Sequence, residues 1–281
     1  MEAKIEQFSR KWLSLLVNGV IGLAALAGVV TMQSSGQLGG MSAVGVQGQK
    51  PLSGMSAASF KKAAEQEAQQ EALRLRMLKK LPSFGFDNLI ADWTFIKFLQ
   101  YFGDDEAREV TGYNLGQDYF DIVTQRDPRW VDIYLFLSTA ISFYQGKPET
   151  AVNLMERGTS ALSLSPQMHS QSWIVWRTKG LDELLLLGDI PESIRSHEMA
   201  ADWVEGSPEG PKLAPRFRAT AEYLRRDPDS VPVRFTAWNT VYTQTTDKLV
   251  RQRAKQALVK LGAQVQKDQN GNETFILPPP K

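Results

Sequence analysis

Four carboxylates crowd one short stretch of the chain: Asp104, Asp105, Glu106 and Glu109. Paired carboxylates bind cations or divide acid–base work. These four also follow Gly103 at what reads as a helix start, where the helix dipole favours acidic residues without any catalytic purpose. The two histidines, His169 and His197, lie 28 residues apart, and neither stands in a metal-ligand cluster. Arg216, Arg218, Arg225 and Arg226 suit contact with phosphate or lipid, but read first as a solvated helix face. Trp93, Tyr134 and Trp176 would fit a ligand groove, but at helical spacing they read as packing residues.

Composition narrows the chemistry further. With 0 Cys and 2 His among 281 residues, disulfides, thiolate zinc sites, iron–sulfur clusters, Cys nucleophiles and a three-His metal centre are excluded. There is no phosphate-binding Gly-rich loop with Lys, no Gly-x-Ser-x-Gly elbow and no zinc-protease motif. The expectation is a non-enzymatic chain, with no catalytic residues, no cofactor-binding residues, no metal ligands and no cofactor. The formal net charge of +1 argues against a wholly basic nucleic-acid binder. That small value hides an asymmetry: residues 82–210 carry 9 Lys/Arg against 20 Asp/Glu, a balance of −11. Residues 1–81 carry 10 against 5, and residues 211–281 carry 13 against 6, balances of +5 and +7. The acidic centre either steers a basic partner or is neutralised by the chain's own ends.

The elements around these residues fall into five segments. Residues 1–32 read as a membrane anchor or a signal sequence. Positions 12–32 hold 21 residues without a charge, and a spanning helix needs about 20. Lys4, Arg10 and Lys11 precede the run, and 17 uncharged residues, 33–49, follow it, which predicts a cytoplasmic N-terminus and an exported remainder. Ala25-Leu26-Ala27 also matches a cleavage site, so a removed signal peptide is the rival reading. Residues 33–58, rich in Gly, Ser, Gln and Ala, read as a flexible linker.

Residues 59–210 read as helical. A first helix over 59–81 ends at Pro82. Its last part mixes Leu73, Leu75, Met77, Leu78 and Leu81 with Arg74, Arg76, Lys79 and Lys80, which suits either an anionic lipid surface or packing on the first repeat. The chain then repeats itself. Tyr134 aligns with Trp176, Ser138 with Gly180, Gly146 with Gly188, Ala151 with Ser193 and Pro166 with Pro208, each at an offset of 42. A less regular earlier copy places Trp93 at 41 before Tyr134, Gly103 at 43 before Gly146 and Pro128 at 38 before Pro166. Each copy reads as two helices. The first ends at Gly103, Gly146 or Gly188 in a left-handed conformation, and the second runs to Asp127-Pro128, Ser165-Pro166 or Ser207-Pro208.

These residues resemble the tetratricopeptide repeat. Trp176 and Gly180 match its opening pair, Gly188-Asp189 its turn, Ala151 its second-helix alanine and Pro166 its closing proline. The departure is length, since 20 residues separate turn Gly from closing Pro in both later copies against about 17 in a consensus repeat. More widely, Phe84-Gly85-Phe86-Asp87, Asp92-Trp93 and Gln100-Tyr101-Phe102-Gly103-Asp104 look similar to membrane-anchored repeat proteins of cyanobacteria. The resemblance implies a thylakoid or plasma-membrane setting.

Residues 211–262 read as C-terminal helices that continue or cap the solenoid, over 212–226 and 233–262, the second stopped by Gly262. Residues 263–281 read as a polar tail with a small β-hairpin around Asn270-Gly271 and an extended Pro278 to Pro280. The fold class is therefore all-α: an N-terminal transmembrane helix and an α-solenoid of tetratricopeptide-like hairpins. The function this implies is a membrane-anchored scaffold for a protein partner, with assembly or maintenance of a membrane complex, photosynthetic by resemblance, as its setting. The membrane is contacted through residues 12–32 and no nucleic acid is expected. The alternatives are a structural spacer subunit of a larger complex, or an enzyme or small-molecule binder built on the carboxylates at 104–109.

Overall fold

The computed structural model describes residues 56–163, 171–226, 228–245, 247–269 and 271–278. The proposed anchor at 12–32 lies outside the described residues, as does nearly all of the linker. So do Pro166, His169, Asp227, Asn270, Pro279 and Pro280. The structure is 74% helical, with eleven α-helices and one two-stranded antiparallel sheet among the described residues. No described helix is long and apolar enough to cross a membrane.

Helix α1 spans Ala57–Lys80 and starts two residues earlier than composition suggests, because the Ser56 hydroxyl accepts from Ser59 N at 3.2 Å and caps it. It ends at Leu81, just before Pro82. Its buried face, Ala64 and Leu75, packs on the first repeat. Tyr119 reaches across to donate to Glu71 Oε1 at 2.5 Å.

The first repeat departs from a simple hairpin. Helix α2 spans Asp87–Phe102 and ends at Gly103, which sits at φ −84° and not in the left-handed region. The second arm is two helices, α3 (Asp105–Thr111) and α4 (Gly116–Arg126). They are separated at Gly112, whose φ of 68° with ψ of −173° is a conformation essentially reserved for glycine. Gly112 was the residue that should have divided the element in the sequence.

The next two copies fold alike. Helix α5 (Ile133–Leu137) continues as a π-helical stretch over Ser138–Phe143, and α6 spans Pro148–Leu162. Helix α7 (Trp173–Asp182) continues as a second π stretch over Glu183–Leu187, and α8 spans Ile190–Glu205. Gly146 and Gly188 both adopt positive φ, 59° and 72°. The amide one residue beyond each glycine closes the turn on the carbonyl six residues back: Lys147 N to Ile141 O at 3.0 Å and Asp189 N to Glu183 O at 2.9 Å. Donors and acceptors in the two turns are again 42 residues apart, so the spacing read from side chains recurs in the backbone hydrogen bonds.

Beyond the repeats, α9 (Gly210–Arg225) pairs closely with α8. The stretch expected as one helix over 233–262 is two, α10 (Val231–Gln244) and α11 (Lys248–Lys260). The break arises because Asp247 caps α11, accepting from Leu249 N at 2.7 Å and Val250 N at 3.2 Å. Rather than extending the stack after α9, α10 and α11 fold back over the glycine turns. Trp238 Nε1 donates to Leu186 O at 3.0 Å, and Arg253 donates to Gln145 O at 3.3 Å. Carbonyls orphaned at the ends of α5 and α7 thus find partners. The hairpin forms as β1 (Gln264–Lys267) against β2 (Glu273–Ile276), with Gly271 at φ 82° in its turn. It is held down by Phe275, buried edge-on against Tyr242 at 4.8 Å.

Candidate interaction surface

The acidic cluster is a helix start. Asp104 Oδ1 accepts from Ala107 N at 3.2 Å and caps α3, while Asp105, Glu106 and Glu109 are exposed. These three face water. Among the described residues, no group of three or more His, Cys, Asp or Glu side chains comes together as a metal site.

Two of the C-terminal arginines, Arg218 and Arg225, bridge α9 to α8, while Arg216 is exposed. Arg218 bridges Asp202 and Glu205 at 3.2 and 2.8 Å, Arg225 pairs with Glu198, and Arg226 lies 3.6 Å from Glu222. Lys79 and Arg157 both engage Asp121, and Arg126 pairs with Asp87 at 2.9 Å. In the pairs of Lys79 with Asp121, Arg218 with Asp202 and Glu205, and Arg225 with Glu198, the basic ends of the chain meet its acidic centre, the neutralising arrangement of the two that the charge pattern allows. Exposed pairs of this kind contribute little stability each.

The aromatic residues of the repeats pack. Tyr134 is fully buried, and Trp176 lies edge-on to Trp203 at 5.8 Å. Phe98 stands at the centre of a ring cluster with Phe95, Tyr119 and Phe120 at 5.9, 5.8 and 4.6 Å.

What the sequence did not disclose is a polar network sealed between the second and third copies. Ser138 and Ser142 donate to the two oxygens of Asp182 at 2.8 and 2.5 Å, joining α5 and its π stretch to α7. Burial raises the Asp182 carboxyl to about 6, with the nearby Glu183 charge adding to the rise and the two serines opposing it. Glu183 accepts from Lys179 Nζ and from Ser196 Oγ, the latter at 2.7 Å, and burial again pushes its carboxyl up. Ser193 Oγ donates to Gly180 O at 2.8 Å, and His197 Nδ1 lies 2.8 Å from Ser193 O. Burial holds the His197 imidazole below its ordinary value.

Lys, Glu, Ser and His together are the residue types of acid–base and nucleophilic catalysis. Here Lys179, Glu183, Ser193, Ser196 and His197 are each at most 4% exposed, and every one of them is already hydrogen-bonded inside the protein. They are closed to solvent, and their hydrogen bonds tie helices together. Gly180 makes the approach of α7 to α8 possible, since a Cβ there would stand 2.9 Å from His197 Nδ1. The i, i+4 pair Lys179/Glu183 and the run Ser193, Ser196, His197 were the available signal, visible only once the helix faces were known.

The surface itself carries more exposed apolar side chains than packing requires. One group lies on the first helices of the first two copies: Ile96 and Leu99 on α2, and Leu135 and Phe136 on α5. Phe136 stacks edge-on against Phe95 at 5.2 Å, so α2 and α5 meet at that pair of rings. A second group, Leu73, Met77, Leu81, Phe84, Phe86 and Leu89, lies where α1 turns into α2. Compared with known proteins, the chain matches no family model, no curated protein and no solved structure.

Proposed function

We propose that the chain is a non-enzymatic, membrane-anchored scaffold whose tetratricopeptide-like hairpins bind a protein partner. The observation that carries this reading is the exposure of Ile96, Leu99, Leu135 and Phe136 on two first helices that meet at Phe95 and Phe136. Contiguous exposed apolar side chains on a folded domain mark interaction sites. Stacked hairpins present such a face along successive repeats, and the matched turn closures at Lys147 and Asp189 support the repeat reading. Lys179, Glu183, Ser193, Ser196 and His197, by contrast, are sealed in the core, and Asp104 serves as a helix cap. Residues 12–32 supply the anchor, and the basic residues before them put the folded region on the periplasmic or thylakoid-lumen side. The partner is a protein of the same membrane, and assembly or maintenance of a membrane complex is the task this arrangement suits.

The test is a photocrosslinking residue at position 136 of the full-length chain in its native membrane. A reproducible protein adduct, lost when Leu135→Asp is added, is the expected result. Absence of any protein adduct from positions 96, 135 and 136 would overturn the scaffold reading.

A further inference from the structure

The corner between α1 and α2 leaves a basic and apolar face uncovered. Along α1, Leu75 turns into the core, whereas Leu73, Met77 and Leu81, at i, i+4 and i+8, are all exposed. Arg76 and Lys80 fall on that same outer face, because residues three and four apart are neighbours on a helix, and both are exposed. Arg74 and Lys79 are paired, with Glu71 and Asp121, but Arg76 and Lys80 enter no ion pair among the described residues. The chain then turns through Ser83-Phe84-Gly85-Phe86. Phe84 holds a left-handed φ of 50° and is 83% exposed. That conformation is disfavoured for any residue with a Cβ, and a phenyl ring facing water adds nothing to folding. Phe86 and Leu89 continue the exposed apolar surface onto α2. The one acid of the corner, Asp87, is held by Ser83 at 2.7 Å and Arg126 at 2.9 Å. Residues 73–89 thus carry Arg74, Arg76, Lys79 and Lys80 against Asp87 alone, a balance of +3.

We propose that this corner docks on an anionic lipid bilayer. Phe84, Phe86, Leu81 and Leu89 enter the boundary between headgroups and acyl chains, and Arg76 and Lys80 meet lipid phosphates. The occupant is lipid because of charge complementarity: basic side chains without an acidic partner among the described residues, Arg76 donating only to Ala72 O, interleave with apolar ones on one helix face, and two aromatic rings stand at the adjoining turn. Interfacial helices bind anionic lipid in this way. The apolar face on α2 and α5 assigned above to a protein partner lacks this basic fringe, Lys97 being its single cation. Docking does not require the anchor, although an anchor would keep the bilayer within reach.

The chain has no cysteine, so a single introduced one is labelled uniquely. Full-length protein carrying Asn88→Cys with an environment-sensitive fluorophore is reconstituted into vesicles of phosphatidylcholine, alone or mixed with phosphatidylglycerol. Nitroxide-labelled lipid is the quencher. Quenching should be at least about two-fold stronger with the anionic lipid, since each basic residue near such a surface favours contact roughly five-fold. Arg76→Glu with Lys80→Glu should abolish that gain. Phe84→Gly should weaken quenching while leaving the melting temperature unchanged or higher, because glycine relieves the left-handed backbone. A label at Lys212→Cys on α9 should stay unquenched.

Equal access of an aqueous quencher to position 88 in both lipids, with a label at Ala24→Cys quenched by lipid, would overturn docking and leave the anchor standing. Quenching at 88 without quenching at 24 would do the reverse. Protection of position 88 that depends on protein concentration and not on lipid charge would assign the corner to a second copy of the chain and end the proposal. So would a Phe84→Gly variant that melts lower and is quenched as before.

Discussion

The ring of Tyr134 lies across the backbone of Gly158, so close that a Cβ at Gly158 would stand 2.4 Å from Tyr134 Cζ. This contact sets the approach of α6 to α5, and the Tyr134 hydroxyl is then within 2.8 Å of Pro128 O, to which it donates. Gly158→Ala gains about 1 kcal/mol of helix propensity and incurs overpacking of roughly 1–3 kcal/mol. The second effect is the larger because Tyr134 is fully buried and its hydroxyl is tied. The expected outcome is a net loss of about 1 kcal/mol in urea unfolding. Adding Tyr134→Leu should shrink the cost of the alanine; strictly additive losses would show that the ring is not its source.

Lys179 and Glu183 form an ion pair with both side chains at most 5% exposed. Lys179→Met leaves a buried carboxylate with only the Ser196 hydroxyl. Breaking one side of a buried pair typically costs about 3–5 kcal/mol. Glu183→Gln in the same chain should recover most of that loss, because the uncompensated charge is gone. Equilibrium unfolding at pH 7 measures both, and an unrecovered double variant would contradict the account.

Asp182 makes stability depend on pH in the less familiar direction. Its carboxyl is raised to about 6 from 3.8, so the folded protein binds more protons than the unfolded chain between these values. This group's contribution is therefore fully present below about pH 4 and is lost as pH rises through 6, at about 1.4 kcal/mol for each pH unit crossed. Ser138, Ser142 and Glu183 face the carboxyl, and Glu183 is raised as well, whereas His197 is lowered and acts oppositely. The difference between the native chain and Asp182→Asn isolates the one group. That variant should be more stable at pH 7.5, with its advantage disappearing by about pH 4; a constant difference across the range would refute the assignment.

Much of the fold was legible because glycine and proline punctuate it. Gly146, Gly188 and Pro148 ended and began helices where the 42-residue spacing put them. The expected hairpin around Gly271 formed although its strands are largely polar, because Phe275 packs on Tyr242 and Glu273 pairs with Lys255. Two long elements were misjudged. Val110, Tyr113 and Leu115 carry the apolar pattern past Gly112, so periodicity cannot detect that break, whereas the polar run from Thr243 to Lys248, within which Asp247 caps α11, was a legible signal for the second. The buried network around Asp182 and Glu183 was illegible for a different reason. Its members lie on three helices, and their spacing within each is that of any solvated face. The charge asymmetry left two readings open, and only contacts such as Arg218 with Glu205 and Lys79 with Asp121 distinguish them.

Three glycines that look alike in the repeats should behave differently when replaced. Gly146 and Gly188 hold left-handed backbone at φ 59° and 72°, and an L-residue there costs roughly 1–2 kcal/mol. Gly103 sits at φ −84°, an ordinary value for alanine, although a Cβ would stand a close 3.2 Å from Leu99 O. Gly103→Ala should therefore change stability by less than about 0.5 kcal/mol. The two left-handed positions differ in surroundings as well. A Cβ at Gly188 would strike the end of the Arg234 side chain, which can swing away. At Gly146 it would stand 3.2 Å from Cγ1 of Val250, a buried residue of the α10–α11 cluster with less room to yield. Gly146→Ala should thus cost somewhat more than Gly188→Ala. Asparagine, which tolerates the left-handed region, should cost less than alanine at both. Thermal and urea unfolding of the five variants test the ranking, and an equal loss at all three glycines would mean that the backbone conformations assigned to these turns are wrong.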